Sequence, residues 1–225
     1  MSDIAANVEV VRQRMAEACA RVGRDAGSVR LVCVTKFANA GAVREAFAAG
    51  CREMGENRIV PAERKLRDLA DLPVSWHGIG TIQSNKAGKA VRLFDLIHSV
   101  HSEHTGAALS AAAEKVGKMQ DVLLQVNVSR ETQKHGIAPE KLEEAAAALA
   151  ELPGLHLLGL MTMAPRVADP EETRPFFRLL RQLRDRLVRA HPDAVELSMG
   201  MTQDYPVAIE EGATLLRVGS AIFAP

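Results

Sequence analysis

The chain has no excess of either charge: 28 lysines and arginines face 28 aspartates and glutamates across 225 residues. A balanced chain presents no overall basic field to nucleic acid and carries no acidic tail. Cysteine is scarce as well. Cys19, Cys33 and Cys51 form an odd count without a C-x-x-C pair, which argues against a disulfide framework and for a reducing compartment, the cytoplasm. Cys33 stands inside an apolar run, where a free thiol packs as a small hydrophobe. No stretch approaches the roughly 18 uninterrupted apolar residues of a membrane span. The N-terminal residues mix charges throughout and lack the apolar block of a signal peptide. Linkers, repeats and low-complexity blocks are missing too, apart from an alanine-rich helix at 145–148. These absences leave a soluble, cytoplasmic protein with a single domain over residues 1–225.

What is present is an alternation. Ile4, Val8, Val11, Met15, Ala18 and Val22 recur at helical spacing before Gly23, so residues 1–23 read as an N-terminal helix packed on the rest. Short apolar runs then predict eight strands, at 31–35, 51–55, 75–79, 95–100, 122–128, 155–162, 195–199 and 215–218. Helical patterns separate them at 42–49, 61–72, 103–116, 139–152 and 170–190, with weaker ones at 84–91 and 206–210. Strands alternating with helices imply parallel pairing through right-handed crossovers. The fold class is therefore α/β, and eight strands favour a closed (β/α)8 TIM-type barrel over an open doubly wound sheet. So few residues follow Val218 that no helix is expected after the last strand, and the N-terminal helix would cover that gap.

In such a barrel the functional groups gather at the C-terminal ends of the strands. In chain order those ends offer Lys36, Glu56 with Asn57, His77 and Gly80, His98 with Ser99, and Asn127 and Ser129; Met161 with Thr162, Ser198-Met199-Gly200 and Arg217-Val218-Gly219-Ser220 complete them. Lys36 closes "LVCVTK", a buried-looking strand ending on a strongly hydrated ammonium. "LSMGMT" and "RVGSAIF" each put a glycine beside hydroxyl residues after the last two strands, where backbone amides can turn together toward a phosphate. A lysine amine opposite a phosphate cradle suits a phosphorylated carbonyl compound held as a Schiff base. Pyridoxal phosphate and a sugar phosphate both meet that description, although sugar chemistry wants proton shuttles and the strand ends supply only Glu56 as a carboxylate.

The blocks "VCVTK", "MGENRIVPAERK", "WHGIGTIQSNKA", "DLIHSVHS", "LLQVNVSRETQKHG", "GLMTMAP" and "LSMGMTQDYPVAIEEGATLLRVGSAIF" run in the order of one family. From about residue 30 to 223 the chain resembles the YggS/PROSC family, the pyridoxal phosphate homeostasis proteins. The resemblance implies a barrel similar to the N-terminal domain of alanine racemase, without that enzyme's second domain, and pyridoxal 5'-phosphate as the cofactor. It makes Lys36 the Schiff-base lysine. It puts Ser198, Gly200, Gly219 and Ser220 on the phosphate cradle with the Met199 backbone between them, sets Arg217 against the pyridine nitrogen, and arranges Asn57, His77 and Met161 around the ring. Three departures stand out: Thr81 replaces a frequent histidine, "NVSRETQKHG" lacks a frequent glycine before its glutamate, and no long basic tail follows "AIFAP".

The resemblance further implies a homeostasis role without established turnover: the cofactor is buffered or delivered to apo-enzymes. Chemistry agrees, because an arginine offers only donors and would keep the ring nitrogen unprotonated, which weakens the electron sink. Racemisation also needs an acid/base group on each face. The only tyrosine, Tyr205, follows the seventh strand and reads as a packing residue. A slow amino-acid racemase is the alternative. The expected partners are the cofactor and, transiently, apo-enzymes, with the chain a monomer. "QSNKAGKAVR" reads as a solvated helix face before a docking surface, and Lys134 with His135 as exposed loop residues before a second aldehyde site.

Overall fold

A computed structural model describes residues 3–224. Its eight parallel strands close into a barrel in sequence order, β1 pairing with β8. The strands are β1 (Arg30–Val34), β2 (Glu53–Glu56), β3 (Ser75–Gly78), β4 (Leu96–Val100), β5 (Gln120–Gln125), β6 (Leu155–Met161), β7 (Glu196–Ser198) and β8 (Leu215–Val218). Before β1 comes α1 (Ile4–Arg21). Between the strands run α2 (Ala40–Ala48), α3 (Ile59–Asp68), α4 (Ala87–Leu93), α5 (Glu103–Lys115), α6 (Leu142–Ala150), α7 (Arg174–Leu187) and α8 (Tyr205–Glu210). Short polar side chains start several of these helices: Asp3 accepts from the Ala6 amide, Asn39 from Ala42 and Ser102 from Thr105. In α7 the buried Phe177, Leu180, Leu183 and Leu187 fall on one stripe, leaving its arginines to the outside.

α1 packs against α2 and α8, covering the expected gap in the helical ring. One expectation fails here. A short helix, α9 (Ser220–Phe223), does follow β8, because the Gly219 carbonyl accepts from the amides of Ile222 and Phe223. The chain turns at once instead of running on, so few residues suffice.

Cross-strand register decides which side chains fill the barrel. Val32 pairs with Glu53 on one side and Arg217 on the other, His77 with Leu96, and Ser198 with Leu215 and Met161. Paired residues share a face and successive residues alternate, so all of these point inward. The inner face thus carries an apolar layer of Val32, Leu96, Leu123, Met161 and Leu215, fully or almost fully buried. Towards the C-terminal ends of the strands it continues into a polar layer of His77, His98, Ser198 and Arg217. The larger apolar core lies outside the barrel wall, under the helices.

Candidate functional site at the barrel mouth

Lys36 continues the inward alternation of Val32 and Val34 past the end of β1 and stands exposed at the mouth, with Nζ 5.1 Å from the centre of the Phe37 ring. Phe37 itself is 91% exposed. The backbone that carries the lysine is held from behind. Lys65 of α3 donates to the Thr35 carbonyl at 2.6 Å and to Glu56 Oε1 at 2.7 Å, and the Thr35 hydroxyl donates to the same carboxylate oxygen at 2.7 Å. Glu56, almost fully buried, is thereby committed to this clamp. Asn57 follows β2 and is exposed on the same rim.

Across the mouth, the loops after β7 and β8 meet. Thr202 Oγ1 and Ser220 Oγ lie 3.0 Å apart, and the Ala221 amide donates to Thr202 at 3.4 Å. Gly219 caps α9, whose first amides have no intrahelical acceptor. A Cβ on Gly219 would come within 3.0 Å of the Val34 carbonyl, so glycine lets this turn sit against β1 beside the lysine. Gly200 has φ +89° and packs so closely that a Cβ would fall 2.6 Å from that of Ala208.

Between these rims lies Arg217, almost wholly buried. Nη1 donates to Ser198 Oγ at 2.5 Å and Nη2 to the Thr162 carbonyl at 2.8 Å. Burial lowers its pKa to about 10, with Asp204 the charge that opposes the drop. Among the described residues the guanidinium has no ion-pair partner, and two bonds leave most of its five donors uncommitted.

Lys36, Asn57, Gly200, Gly219 and Ser220 therefore share the mouth, with Arg217 at its floor. Four other expected site residues are placed differently. His77 lies inside β3 rather than at its end; its ring is buried against His98 and next to Glu53. Met161 faces inward among Val32, Leu123 and Leu215 as packing. The Ser198 hydroxyl is taken up by Arg217 and His98 inside the barrel instead of opening to the rim where the loops after β7 and β8 meet. The Met199 amide donates to the Leu215 carbonyl at 3.1 Å, so it too is spent, and its side chain lies in the outer core. In each case strand register, which periodicity alone does not give, decides the outcome.

Thr202 was missed, although it ends the quoted "LSMGMT"; its meeting with Ser220 depends on two loops far apart in sequence. Lys65 was missed as well, although it ends the block "MGENRIVPAERK". Lys134 is tied to Glu131 at 2.5 Å and reaches the Met163 carbonyl at 3.4 Å. Tyr205 is buried between α8 and α1 in the outer core. Lys89 of the basic run pairs with Glu63 of α3 at 2.7 Å.

The family described as alanine racemase, N-terminal domain, matches residues 1–225. The pyridoxal phosphate homeostasis protein of Pseudomonas aeruginosa is 43% identical over 99% of this chain and 96% of its own length. That of Aquifex aeolicus is 41% identical over 95% of this chain and 94% of its own. The structure of PipY from Synechococcus elongatus with PLP bound is 39% identical, with a TM-score of 0.82, covering 93% of this chain and all of that one (100%). Alanine racemase from Corynebacterium glutamicum, 17% identical with a TM-score of 0.72 over 98% of this chain and 60% of its own, shares the fold. By sequence, barrel and extent, the chain belongs to the pyridoxal phosphate homeostasis proteins within the alanine racemase N-terminal domain family.

Proposed function

We propose that this chain holds pyridoxal 5'-phosphate at the barrel mouth through Lys36 and keeps it available to enzymes that need it, without turning over a substrate on it. The observation that carries the reading is Arg217: a buried guanidinium with spare donors and no ion-pair partner among the described residues, under a rim of hydroxyls and amides. A buried cation left in that state favours a ligand rich in acceptors and negative charge. Pyridoxal phosphate brings a phosphate, an acceptor ring nitrogen and an aldehyde, and the residues fit each of them. When bound, it supplies a carbonyl that amines engage reversibly and a ring that withdraws electrons best when its nitrogen is protonated.

Lys36 offers its amine from a backbone fixed by Lys65 and Glu56. Thr202, Ser220 and the Gly219 and Ser220 amides would hold the phosphate. Arg217 donates toward the ring nitrogen and, having no proton to give up, keeps it unprotonated. Asn57 borders the ring from β2. Two candidate proton shuttles are withdrawn from this mouth. Glu56 is consumed by Lys65 and Thr35, and the only tyrosine is buried behind α8. The exposed Lys36 and Phe37 leave the cofactor open to other amines and to a receiving apo-enzyme. The protein acts as a monomer in the cytoplasm on this reading.

Mixing the purified chain with pyridoxal phosphate is expected to produce the absorbance band of a lysine-bound cofactor near the visible–ultraviolet boundary. A band that survives Lys36→Ala refutes the assignment of that lysine. Multiple turnovers of an L- or D-amino acid that depend on Lys36 would overturn the holding role in favour of a racemase.

A further inference from the structure

A line of side chains crosses the inside of the barrel from β2 to β8. His77 Nδ1 lies 2.8 Å from His98 Nε2, and His98 Nδ1 lies 2.8 Å from Ser198 Oγ. Arg217 Nη1 donates to that same oxygen at 2.5 Å. At the other end, His77 Nε2 approaches Glu53 Oε2 at 3.5 Å, a buried carboxylate oxygen with no other partner among the described residues.

The line has one proton order. Arg217 can only donate, so Ser198 Oγ accepts from it. Among the described residues the serine proton has a single acceptor within reach, His98 Nδ1. His98, fully buried beside His77 and Arg217, is held neutral by desolvation, so its one proton is on Nε2 and is donated to His77 Nδ1. His77, also neutral, then carries its proton on Nε2, directed at Glu53. The reversed order would leave the serine proton without an acceptor and set a bare His77 Nε2 against a carboxylate oxygen.

What the line does is visible at its upper end. Arg217 has a long side chain without an ion-pair partner among the described residues, while the charge of the buried Asp204 attracts it. Asp204 already accepts from the Met201 amide at 2.6 Å. Among the described residues only Ser198 and the Thr162 carbonyl hydrogen-bond the guanidinium and keep it where it is.

We infer that His77 and His98, each locked as the Nε2–H tautomer, form a positioning strut that acts through Ser198 to hold Arg217 with its spare donors facing the bound cofactor. The inference rests on the pyridoxal phosphate reading of the mouth and adds residues that never touch the ligand. Two measurements test it. Long-range proton–nitrogen NMR on the histidine-labelled chain, without cofactor, is expected to show both rings protonated on Nε2; a proton on Nδ1 of either ring overturns the strut. Pyridoxal phosphate titrations followed by the visible band are expected to show binding weakened tenfold or more, with a displaced band maximum, in Ser198→Ala and His98→Leu. His98→Asn, whose amide oxygen can replace Nδ1 as acceptor for Ser198, is expected to stay within about threefold of the wild type. Wild-type affinity and band position in Ser198→Ala would overturn the strut alone. A wild-type chain that takes up no pyridoxal phosphate overturns the cofactor reading, whatever the tautomers show.

Discussion

Arg30 and Arg217 both belong to the inner face of one barrel, and they are treated in opposite ways. At the N-terminal end Arg30 reaches Glu196 at 2.8 Å and Glu53 at 3.3 Å, with its side chain 43% exposed. That charge is matched within the chain. At the mouth end Arg217 is buried and, among the described residues, bonded only to neutral oxygens. A charge matched internally is architecture; a buried charge left with spare donors marks where a ligand completes the structure. The histidine strut lies between the two, ending at Glu53 on one side and Arg217 on the other.

The largest effect falls on Lys36. Lys36→Ala is expected to abolish the visible band of bound cofactor entirely while changing stability without ligand by less than about 0.5 kcal/mol, since the side chain is exposed. A melt of the cofactor-free protein beside the absorbance scan checks both halves.

Next, exchanging each arginine for methionine should separate the two ends. Arg217→Met is expected to weaken cofactor binding by about 10- to 100-fold, the loss of a charged hydrogen bond. Arg30→Met is expected to leave binding within about threefold but to cost on the order of 1–2 kcal/mol in urea unfolding, because Glu53 and Glu196 are left facing each other. Equal binding losses in both variants would erase the contrast between the two ends.

Acid should act through the strut. Burial lowers the pKa of His77 to about 3 and that of His98 well below the ordinary imidazole value. An unfolded histidine titrates near 6.5, so the unfolded chain binds these protons first as pH falls. The stability from keeping the rings neutral is complete above about pH 6.5 and is lost progressively as pH drops toward 3. Between pH 7 and 5 the loss is expected to be about 2 kcal/mol per histidine. Urea midpoints across that range check the slope, which should shrink by about half in His98→Asn.

The sequence made the barrel legible because an apolar run and a helical stripe are local properties. β8 appears where periodicity predicts it, and α1 fills the place that a missing last helix would leave. Lys36 was legible for the same reason: it ends an apolar strand. The inward assignment of Ser198, the withdrawal of His77 from the mouth and the meeting of Thr202 with Ser220 were not. Each depends on register between strands, or on loops brought together by closure, and a one-residue change of phase would reverse it. Glycines gave a partial signal, since "MGMT" and "RVGS" mark the two loops that meet at the rim without saying which of their hydroxyls pair.

The smallest expected effect separates holding from turnover. Tyr205 is the chain's only tyrosine, and its buried hydroxyl has no partner within hydrogen-bond distance among the described residues, although Arg14 of α1 lies near enough to pull its pKa down against the rise from burial. Burial pushes its pKa up, so it is not poised to give or take a proton. Tyr205→Phe removes that hydroxyl and keeps the ring, and an unpaired buried hydroxyl is a cost to the fold. Stability is therefore expected to stay the same or rise by up to about 1 kcal/mol. The cofactor band and its exchange with added amines should not change, because the side chain lies behind α8 and not at the mouth. A slowed exchange, or a lost trace of turnover, would mean that the phenol reaches the mouth in some state of the protein, and Tyr205 would then be a proton shuttle for the bound cofactor.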